Sequence, residues 1–466
     1  MAHSTQASEV RFDGQAAQED QSSHAEALMR AALNAGAGEA EAVAQGSQII
    51  SVRFEGEELK LTSADFGSAL GLRVLHDRRM GFASTNQVGT EARERTAQGA
   101  LGLAKCSPAD PANVLPDCHP VTRDVQACDD ALSDMPVEAV VGRARDLVAR
   151  TLAVDPRLRL DSCEVVLRRG AGAVHSSAGV EASASSTSMS LSLFGMAVDG
   201  DDVGGFDYWG GHALDVPSFE LLAEESITHF SRAALGNLNA QASESYTGPV
   251  LFSPSAFMDV FIQPLVSAAS AIAVQRGRSS LAGKLGQVIA ADMLNVTDDP
   301  TDRGLMGLCA FDREGVPTQP FDVINQGVLQ AYLYNGYAAA VDGVSSTGHA
   351  SGGARSVPGL GAHGLCVGAG QGGRSADMLK HLDRGLLVGR FSGSVDPASG
   401  DFSGVAKSSR WVEAGAVVRP VRETLFGGNL FDLLPQLLQL SSEAESVMGS
   451  ARAPWALVDG LSVTAG

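Results

Sequence analysis

Several acidic side chains occur close together in the stretch DDPTDRGLMGLCAFDREG at 298–315. Carboxylates at such spacing could coordinate a divalent cation, and calcium-binding loops use them in this way. The stretch does not fit a calcium loop, because the twelfth position counted from Asp298 or Asp299 is Cys309 or Ala310 and not the bidentate glutamate. The acidic pieces at its two ends instead have the composition of turns whose carboxylates accept from local amides.

Zinc coordination is the next chemistry that the residue types could support. The ten histidines form no HExxH, HxxxH or HxH pair, so no local motif places two imidazoles side by side. His349, His363 and His381 lie at wide spacing in one unit and Cys366 is close to His363, so a metal site assembled in three dimensions stays open. An independent hydrolase could build a rearranged site from His349, His363, Cys366 and Glu413.

Two glycine-rich segments match phosphate-binding loops only in part. GRSSLAGKL at 277–285 has Leu285 where a P-loop needs the hydroxyl that binds Mg²⁺. CVGAGQGG at 366–373 contains GxGxxG, but its flanks do not supply the βαβ unit and the acidic residue of a dinucleotide site. The sequence therefore predicts no nucleotide cofactor.

The composition is that of a globular protein with an acidic surface. Apolar residues make up 44% and charged residues 19% of the 466 residues, and 54 acidic residues against 34 basic ones give a net charge of −20. Such a field repels phosphate backbones and anionic lipids, and no apolar run reaches the roughly 18 residues of a spanning helix. We expect no nucleic-acid and no membrane partner. Six cysteines without a CxxC pair predict a reduced, cytoplasmic protein.

The elements that must position these residues alternate between helical and strand patterns. Apolar spacing predicts helices in HAEALMRAALNAG, PVEAVVGRARDLVARTLAVDP and ELLAEESITHFSRAALGNL, and alternation predicts strands such as SMSLSLFGMAV. The predicted fold class is α+β, with an N-terminal α/β region and a C-terminal, mostly antiparallel, sheet-rich domain. The predicted units are a disordered tail at 1–23, an N-terminal unit at 24–106, a central unit at 107–247 that begins with a linker, and a C-terminal domain at 248–466.

Several blocks together resemble the TldD/PmbA family of peptidase subunits, from about residue 26 to the C-terminus. They are LGLRVLHDRRMGFAST, KLGQVIAADMLNVTDDP, FDREGVPTQPFDVINQGVLQAYLYNGYAA, RGLLVGRFSGSVDPASGDFSG and FGGNLFDLL. The most specific are the DxEGxPT block and the GVLxxYL run that follows it. The resemblance implies the multi-unit fold of that family.

The family has two kinds of subunit. TldD-like subunits carry an HExxxH motif on a helix, in which the histidines bind zinc and the glutamate activates the metal-bound water. TldE- or PmbA-like subunits lack the motif and pair with the first kind. Alignment on GRSSLAGKLG places the histidine slots at Ile262 and Ser267 and the glutamate slot at Gln263, in a segment, 257–273, without His, Cys or Glu. Ile has no lone pair, a neutral Ser hydroxyl is a poor zinc ligand, and Gln cannot take a proton from water.

The resemblance therefore implies a TldE/PmbA-like chain with no catalytic residue, metal or cofactor of its own. Its expected role is the non-catalytic subunit of a heterodimeric zinc metallopeptidase, with the zinc in a TldD-like partner. The implied substrates are peptides, including precursors of modified peptide natural products, which this chain would help to hold by strand addition. Two alternatives stay open, a stand-alone homodimeric binding or scaffold protein and the independent hydrolase with a rearranged site. The older family label that refers to DNA gyrase has no support in so acidic a chain.

The same resemblance marks family-signature positions as candidates for contacting substrate or lining the chamber. These positions are Asp312, Glu314, Gly315, Thr347, His349 and Arg355. His349 stands where the family more often has Asn, and the following segment is rich in Gly where the family tends to have Pro and Asn. The loop region at 347–373 is therefore either specialised for one peptide or drifting.

Overall fold

The chain folds around two β-sheets, one in its N-terminal half and one in its C-terminal half. The computed structural model describes residues 11–123, 125 and 127–465. Within these residues the first sheet has seven strands, all paired antiparallel, and the second has thirteen. In the second sheet two pairings are parallel and the others are antiparallel. The predicted α+β class and the antiparallel character of the C-terminal domain are confirmed.

The N-terminal sheet is built from long hairpins with helices packed on its surface. Its strands are β1 (Glu39–Glu55), β2 (Glu58–His76), β3 (Arg79–Thr85), β4 (Leu158–Ser176), β5 (Glu181–Asp199), β6 (Asp202–Val203) and β7 (Asp207–Ala213), in the order β3-β2-β1-β4-β5, with β6 and β7 both on β5. The helices of this half are α1 (Gly14–Asn34), α2 (Thr90–Cys106), α3 (Asp130–Asp134), α4 (Val137–Val154) and α5 (Val216–Gly236). Buried and exposed residues alternate along β5, as the polar and apolar alternation of its sequence predicts.

Helix α1 begins ten residues earlier than the pattern HAEALMRAALNAG predicts, at Gly14 instead of His24. The Asp13 side chain caps it by accepting from two backbone N–H groups of the first turn, at 3.1 and 3.0 Å. Gln21 and Ala25 are buried against the sheet, and the other polar residues in the first half of α1 are at least partly exposed. The first half of α1 is therefore part of an ordered amphipathic helix. The predicted tail is therefore wrong for residues 14–23, and its residues 1–10 lie outside the described residues.

The predicted N-terminal and central units share one sheet, which no sequence pattern indicated. Strand β1 pairs with β4 along almost its whole length, from Glu41 opposite Ser176 to Phe54 opposite Cys163. The predicted linker between the units does lack a helix or named strand in its described residues from 107 to 129. Two hydrophobic clusters cover the sheet, one under α1 and α2 and one under α4 and α5. The predicted boundary at 106/107 therefore falls between the helices α1 and α2 and the helices α4 and α5, and it does not divide the sheet.

The C-terminal domain packs short helices and loops on a sheet assembled from distant segments. Its strands are β8 (Tyr246–Phe252), β9 (Val296–Asp298), β10 (Phe321–Asn325), β11 (Val328–Leu329), β14 (Leu365–Val367), β15 (Arg384–Val388), β16 (Arg390–Val395), β17 (Asp401–Lys407), β18 (Ser409–Glu413), β19 (Ala416–Val421), β20 (Thr424–Asn429), β21 (Leu437–Val447) and β22 (Ala451–Thr464), and a separate pair is formed by β12 (Ala350–Ser351) and β13 (Gly359–Leu360). The helices are α6 (Pro254–Phe257), α7 (Gln263–Ala268), α8 (Ala271–Gln275), α9 (Gly336–Asp342), α10 (Ser375–Met378) and α11 (Leu430–Leu433). Strand β22 lies near the centre of the sheet and pairs with β8, β14, β20 and β21. The largest hydrophobic core of the molecule lies between this sheet and helices α6 to α8.

None of the helices in the described part of the chain is long and apolar enough to cross a membrane.

Candidate functional site

The helix that carries the three motif slots contains a π-helical turn. Helix α6 continues into π-helical Met258–Ile262 and then into α7, and the backbone N–H of Gln263 donates to the carbonyl of Met258. Such turns insert one residue into a helix and are frequent at functional sites. The sheet-facing side of the helix belongs to the large core, with Phe257 and Phe261 fully buried. The helix is thus held rigidly by its apolar residues, whatever its open face carries.

The motif slots do not share one surface. Ile262 is fully buried in the core, whereas Gln263 and Ser267 are exposed. Residues four apart lie on one helix face, so Gln263 and Ser267 project to the same side. Both line a cavity of about 460 Å³, and Ile262 does not. The structure therefore brings two of the three slots together at an open site.

The cavity wall does not offer the donor set that a zinc ion requires. Its polar lining near the slots consists of Gln263, Ser267 and Ser270, which present an amide and two neutral hydroxyls. Asp259 is the one acid of the segment 257–273, but it is not among the lining residues, and burial raises its pKa although the charge of Arg390 opposes the rise. Within the described residues, no group of three or more His, Cys, Asp and Glu side chains is placed to hold a metal ion. The residues present do not fit a zinc site.

The acidic side chains of the stretch at 298–315 contact different parts of the structure. The Asp302 carboxylate pairs with the Arg452 guanidinium at 2.5 Å, and that hydrogen bond holds the pKa of Asp302 below its usual value although burial opposes it. Asp298 faces a histidine cluster, and Asp312 organises a turn. The turn interpretation of the sequence therefore holds for Asp312, and the stretch has no common metal centre among its described side chains.

Asp312 is the centre of the family-signature turn. One carboxylate oxygen accepts from the backbone N–H groups of Glu314 and Val316 at 2.8 and 3.0 Å, and the other accepts from Ala350 at 2.9 Å. Burial raises the pKa of Asp312 to about 7, with the Glu314 charge adding to the rise and the three N–H donors opposing it. Gly315 closes the turn at φ +79°, a left-handed conformation that favours glycine. The turn is thus buried and is held together by the Asp312 carboxylate.

Glu314 belongs to a buried cluster of four charges, Glu41, Arg73, Arg313 and Glu314, which joins the two halves of the molecule. Arg73 Nη2 contacts Glu41 Oε2 at 2.6 Å and Glu314 Oε1 at 2.8 Å, and Arg313 Nη1 contacts Glu41 Oε1 at 3.0 Å. All four side chains are at most 5% exposed. Burial opposes the charge of Arg73, but the two carboxylates outweigh it and hold the pKa of that guanidinium above its usual value. We call these residues the four-charge cluster.

Thr347 and His349 lie beside Asp298 in the order hydroxyl, imidazole, carboxylate. Thr347 Oγ1 is 2.8 Å from His349 Nδ1, and His349 Nε2 is 3.1 Å from Asp298 Oδ2 in a poorly aligned contact. Burial acts to raise the pKa of Asp298, but the His349 contact and two backbone N–H donors outweigh it, so the pKa lies below its usual value. The Thr347 hydroxyl also accepts from the backbone N–H of Tyr334 at 2.8 Å. The Thr347 hydroxyl is thus hydrogen-bonded within the fold.

A second histidine forms a dyad with a cysteine that the sequence analysis did not single out. His363 Nδ1 is 3.4 Å from Cys309 Sγ, and His363 Nε2 is 2.7 Å from the carbonyl of Gly348. Because a carbonyl only accepts, Nε2 carries the proton and the thiol donates to Nδ1. Burial raises the pKa of Cys309 to about 11 and lowers the pKa of His363, so the pair is neutral and is not an activated thiolate. The two residues are 54 apart in the chain, and no local spacing signals them.

The remaining candidates are not drawn into this region. Glu413 accepts from Trp411 Nε1 at 2.8 Å on β18, and Cys366 lies on β14. Among the described residues, neither makes a hydrogen bond or ion pair with His349 or His363. Arg355 is exposed in the loop after β12, and no ion pair to it occurs among the described residues. Of the predicted signature positions, Asp312, Glu314, Gly315 and His349 are therefore buried around one interior region, whereas Arg355 faces solvent.

The two-sheet fold and the signature turn define a class of metallopeptidase-related chains. Family models described as PmbA/TldA metallopeptidase domain 1 and PmbA/TldA metallopeptidase C-terminal domain match residues 40–104 and 244–465. The crystal structure of TldE from Thermococcus kodakarensis covers 95% of this chain and 100% of its own, with a TM-score of 0.86 and 22% identity. At that identity the likeness concerns the fold.

Sequence relatives extend this to the family level. The Metalloprotease PmbA of Escherichia coli O157:H7 is 30% identical over 409 residues, which are 85% of this chain and 86% of that protein. A Metalloprotease PmbA homolog of Haemophilus influenzae is 27% identical over 424 residues, 89% of each chain. The chain belongs to the PmbA/TldD metallopeptidase family, as its sequence blocks predicted.

Proposed function

We propose that this chain is the metal-free, TldE/PmbA-like subunit of a heterodimeric metallopeptidase, paired with a TldD-like subunit that holds the zinc. The observation that carries the proposal is the open face of the motif helix, where Gln263 and Ser267 line the cavity in place of metal-binding side chains. The helix is kept in position by a full core although its ligands are missing. Such a chain retains the shape of a peptidase subunit without its reaction.

The substrates in this proposal are peptides, including precursors of modified peptide natural products. The solved TldE structure and the PmbA metalloprotease relatives support both the fold and the reaction class of the assembly. This chain would complete the substrate chamber, and the zinc expected in the partner would supply the activation of water for hydrolysis. The Cys309–His363 pair is consistent with the same division of labour, because burial holds its thiol in the protonated form.

Co-expression with the TldD-like protein of the same genome tests the proposal. We expect a complex with equal numbers of the two chains, zinc that follows the partner, and peptide cleavage that needs both chains. A partner whose motif glutamate is replaced by glutamine is the control and abolishes cleavage while the complex persists. Stoichiometric zinc in this chain alone, absence of a complex, or equal cleavage without this chain would each contradict the proposal, and a stable homodimer alone would favour the scaffold alternative.

A further inference from the structure

The cavity beside the motif helix has a lining of unusual charge for this protein. Two guanidinium groups, those of Arg276 and Arg278, line it, and no carboxylate does. The rest of the lining combines free polar groups with an apolar wall formed by Val266, Ile272, Leu333, Leu360 and Leu365. In a chain of net charge −20, a cavity with two cations and no acid is a local reversal of the molecular field.

The backbone around the two arginines is fixed, and their side chains have no charged partner among the described residues. Arg276 is the C-cap of helix α8, Gly277 adopts φ +64°, and the backbone N–H groups of Gly277 and Arg278 donate back to the carbonyls of Val274 and Ala273 at 3.0 and 2.8 Å. This is a Schellman ending, which fixes the backbone on both sides of the glycine. Both side chains are exposed, and in the described part of the chain neither forms an ion pair or a side-chain hydrogen bond.

Asp110, an acidic residue in the surroundings of Arg276, is already engaged. Asp110 accepts from the hydroxyl of Tyr337 at 2.9 Å, and the charge of Arg276 is felt at that tyrosine without an ion pair to Asp110. The amide of Gln263 and the hydroxyls of Ser267 and Ser270 also make no side-chain hydrogen bond to any described residue. The cavity therefore presents two cations and three polar groups whose hydrogen-bonding capacity is unused.

We propose that this cavity binds a peptide through a carboxylate that pairs with Arg276 and Arg278. A neighbouring side chain of the peptide packs against the apolar wall. The guanidinium fork pairs with both oxygens of a carboxylate, and an exposed site of about 460 Å³ has the size of small-ligand pockets, about 300–1,000 Å³. Gln263, Ser267 and Ser270 supply donors and acceptors for the peptide backbone. The motif helix thus carries a substrate-holding face where the family's metal-bearing subunits carry ligands, and the inference rests on the proposed function for its substrate class.

Binding of a labelled peptide to the full chain tests the carboxylate. The probe is an N-terminally dye-labelled Ala-Leu-Ala-Leu peptide with a free C-terminus, followed by fluorescence anisotropy. A C-terminally amidated form and an amidated form carrying one glutamate distinguish the α-carboxylate from an acidic side chain as the source of the charge. We expect the amidated, uncharged form to bind at least about tenfold more weakly than one of the carboxylate forms, with the difference shrinking between about 50 and 500 mM salt.

Substitutions place the carboxylate at the two arginines. Arg276→Gln with Arg278→Gln is expected to weaken carboxylate binding at least about tenfold and to leave the amidated form unchanged. Arg276→Lys with Arg278→Lys keeps the charge, loses the fork and gives an intermediate loss. Arg145→Gln, an exposed arginine of helix α4 outside the cavity, is the matched control and leaves binding unchanged.

Two results overturn the inference. One is equal affinity for all three peptides, and the other is unchanged carboxylate binding in the double glutamine variant. The measurements are made on the full chain alone and on its co-purified complex, so that their outcome is separate from the pairing test. Carboxylate binding by a chain that forms no complex keeps the inference and rejects the proposed function. If a working peptidase complex instead binds and cleaves peptides equally well without both arginines and without the carboxylate, the proposed function stands and the inference is rejected.

Discussion

At the scale of single residues, the signature side chains act by satisfying buried backbone groups. Asp312 accepts from three backbone N–H groups that belong to its own turn and to β12. A carboxylate in such a position keeps separate chain segments together, because a buried N–H without an acceptor costs about 1–3 kcal/mol. Burial and the Glu314 charge raise the pKa of the same carboxyl, so the stability of the turn depends on pH.

The free energy of unfolding should therefore depend on the protonation of Asp312. Its folded pKa of about 7 lies above the ordinary 3.8, so the stabilising effect of the proton is complete below about pH 4 and is lost as the pH rises through 7. Asp312→Asn cannot titrate, so urea unfolding should show the wild type losing at least about 1 kcal/mol relative to this variant between pH 5 and 8. Asp292→Asn, which removes an exposed carboxylate, makes the same charge change and should follow the wild-type profile. Parallel profiles for all three proteins would contradict the prediction.

At the scale of elements, the turn at 312–316 depends on one glycine. Gly315 has φ +79°, and a Cβ there would lie 2.3 Å from Val180 Cγ1 in the turn between β4 and β5. Gly315→Ala should therefore cost about 1–3 kcal/mol of unfolding free energy, from backbone strain and from overpacking. Gly142→Ala within helix α4, where a Cβ meets nothing within 4 Å, should instead stabilise by about 0.5–1 kcal/mol. Urea unfolding of the two variants measures the contrast, and equal effects would disprove it.

The elements also divide into those that local pattern predicts and those it does not. The 3.6-residue spacing predicted α4 and α5, and alternation predicted β5, because each buries one face on a neighbouring layer. Pattern failed at the polar start of α1, where the buried contacts come from distant strands and a cap. It also gave no sign that β1 and β4 pair, since strand pairing depends on partners more than a hundred residues apart.

The sequence likewise predicted only part of the candidate site. From the family resemblance, the sequence predicted a motif helix whose slots Ile262, Gln263 and Ser267 lack metal-binding side chains, because that prediction depends only on residue types at known spacing. It did not separate buried Ile262 from exposed Gln263 and Ser267, because the π-helical turn is not visible in composition. Arg276 and Arg278 were missed as well, since an arginine without a partner looks like any other until its surroundings are known.

At the scale of the whole molecule, the N-terminal sheet and the C-terminal domain are joined by buried charges. Glu41 and Arg73 lie on β1 and β2, whereas Arg313 and Glu314 lie in the signature turn, so each ion pair between them ties the two halves together. The backbones are also close at this place, because a Cβ on Gly71 would lie 2.0 Å from the carbonyl oxygen of Ala354. The DxEG signature therefore fixes the orientation of one half of the chain on the other.

Removing one cation from the four-charge cluster should destabilise the junction strongly. Arg73→Met leaves the buried Glu41 carboxylate with Arg313 alone and removes the guanidinium that Glu314 contacts, and the expected loss is about 3–5 kcal/mol of unfolding free energy. Adding Glu314→Gln should recover part of that loss, because the unpaired buried charge causes most of it.

Arg53→Met on β1 is the control and changes the net charge equally. Its partner Glu55 is at 3.5 Å and both side chains are nearly half exposed, so its cost should stay within about 1 kcal/mol. Urea unfolding measures these differences, and limited proteolysis of folded Arg73→Met should cut the 107–129 segment faster. A cost for Arg73→Met no larger than for Arg53→Met would show that the cluster does not hold the two halves together.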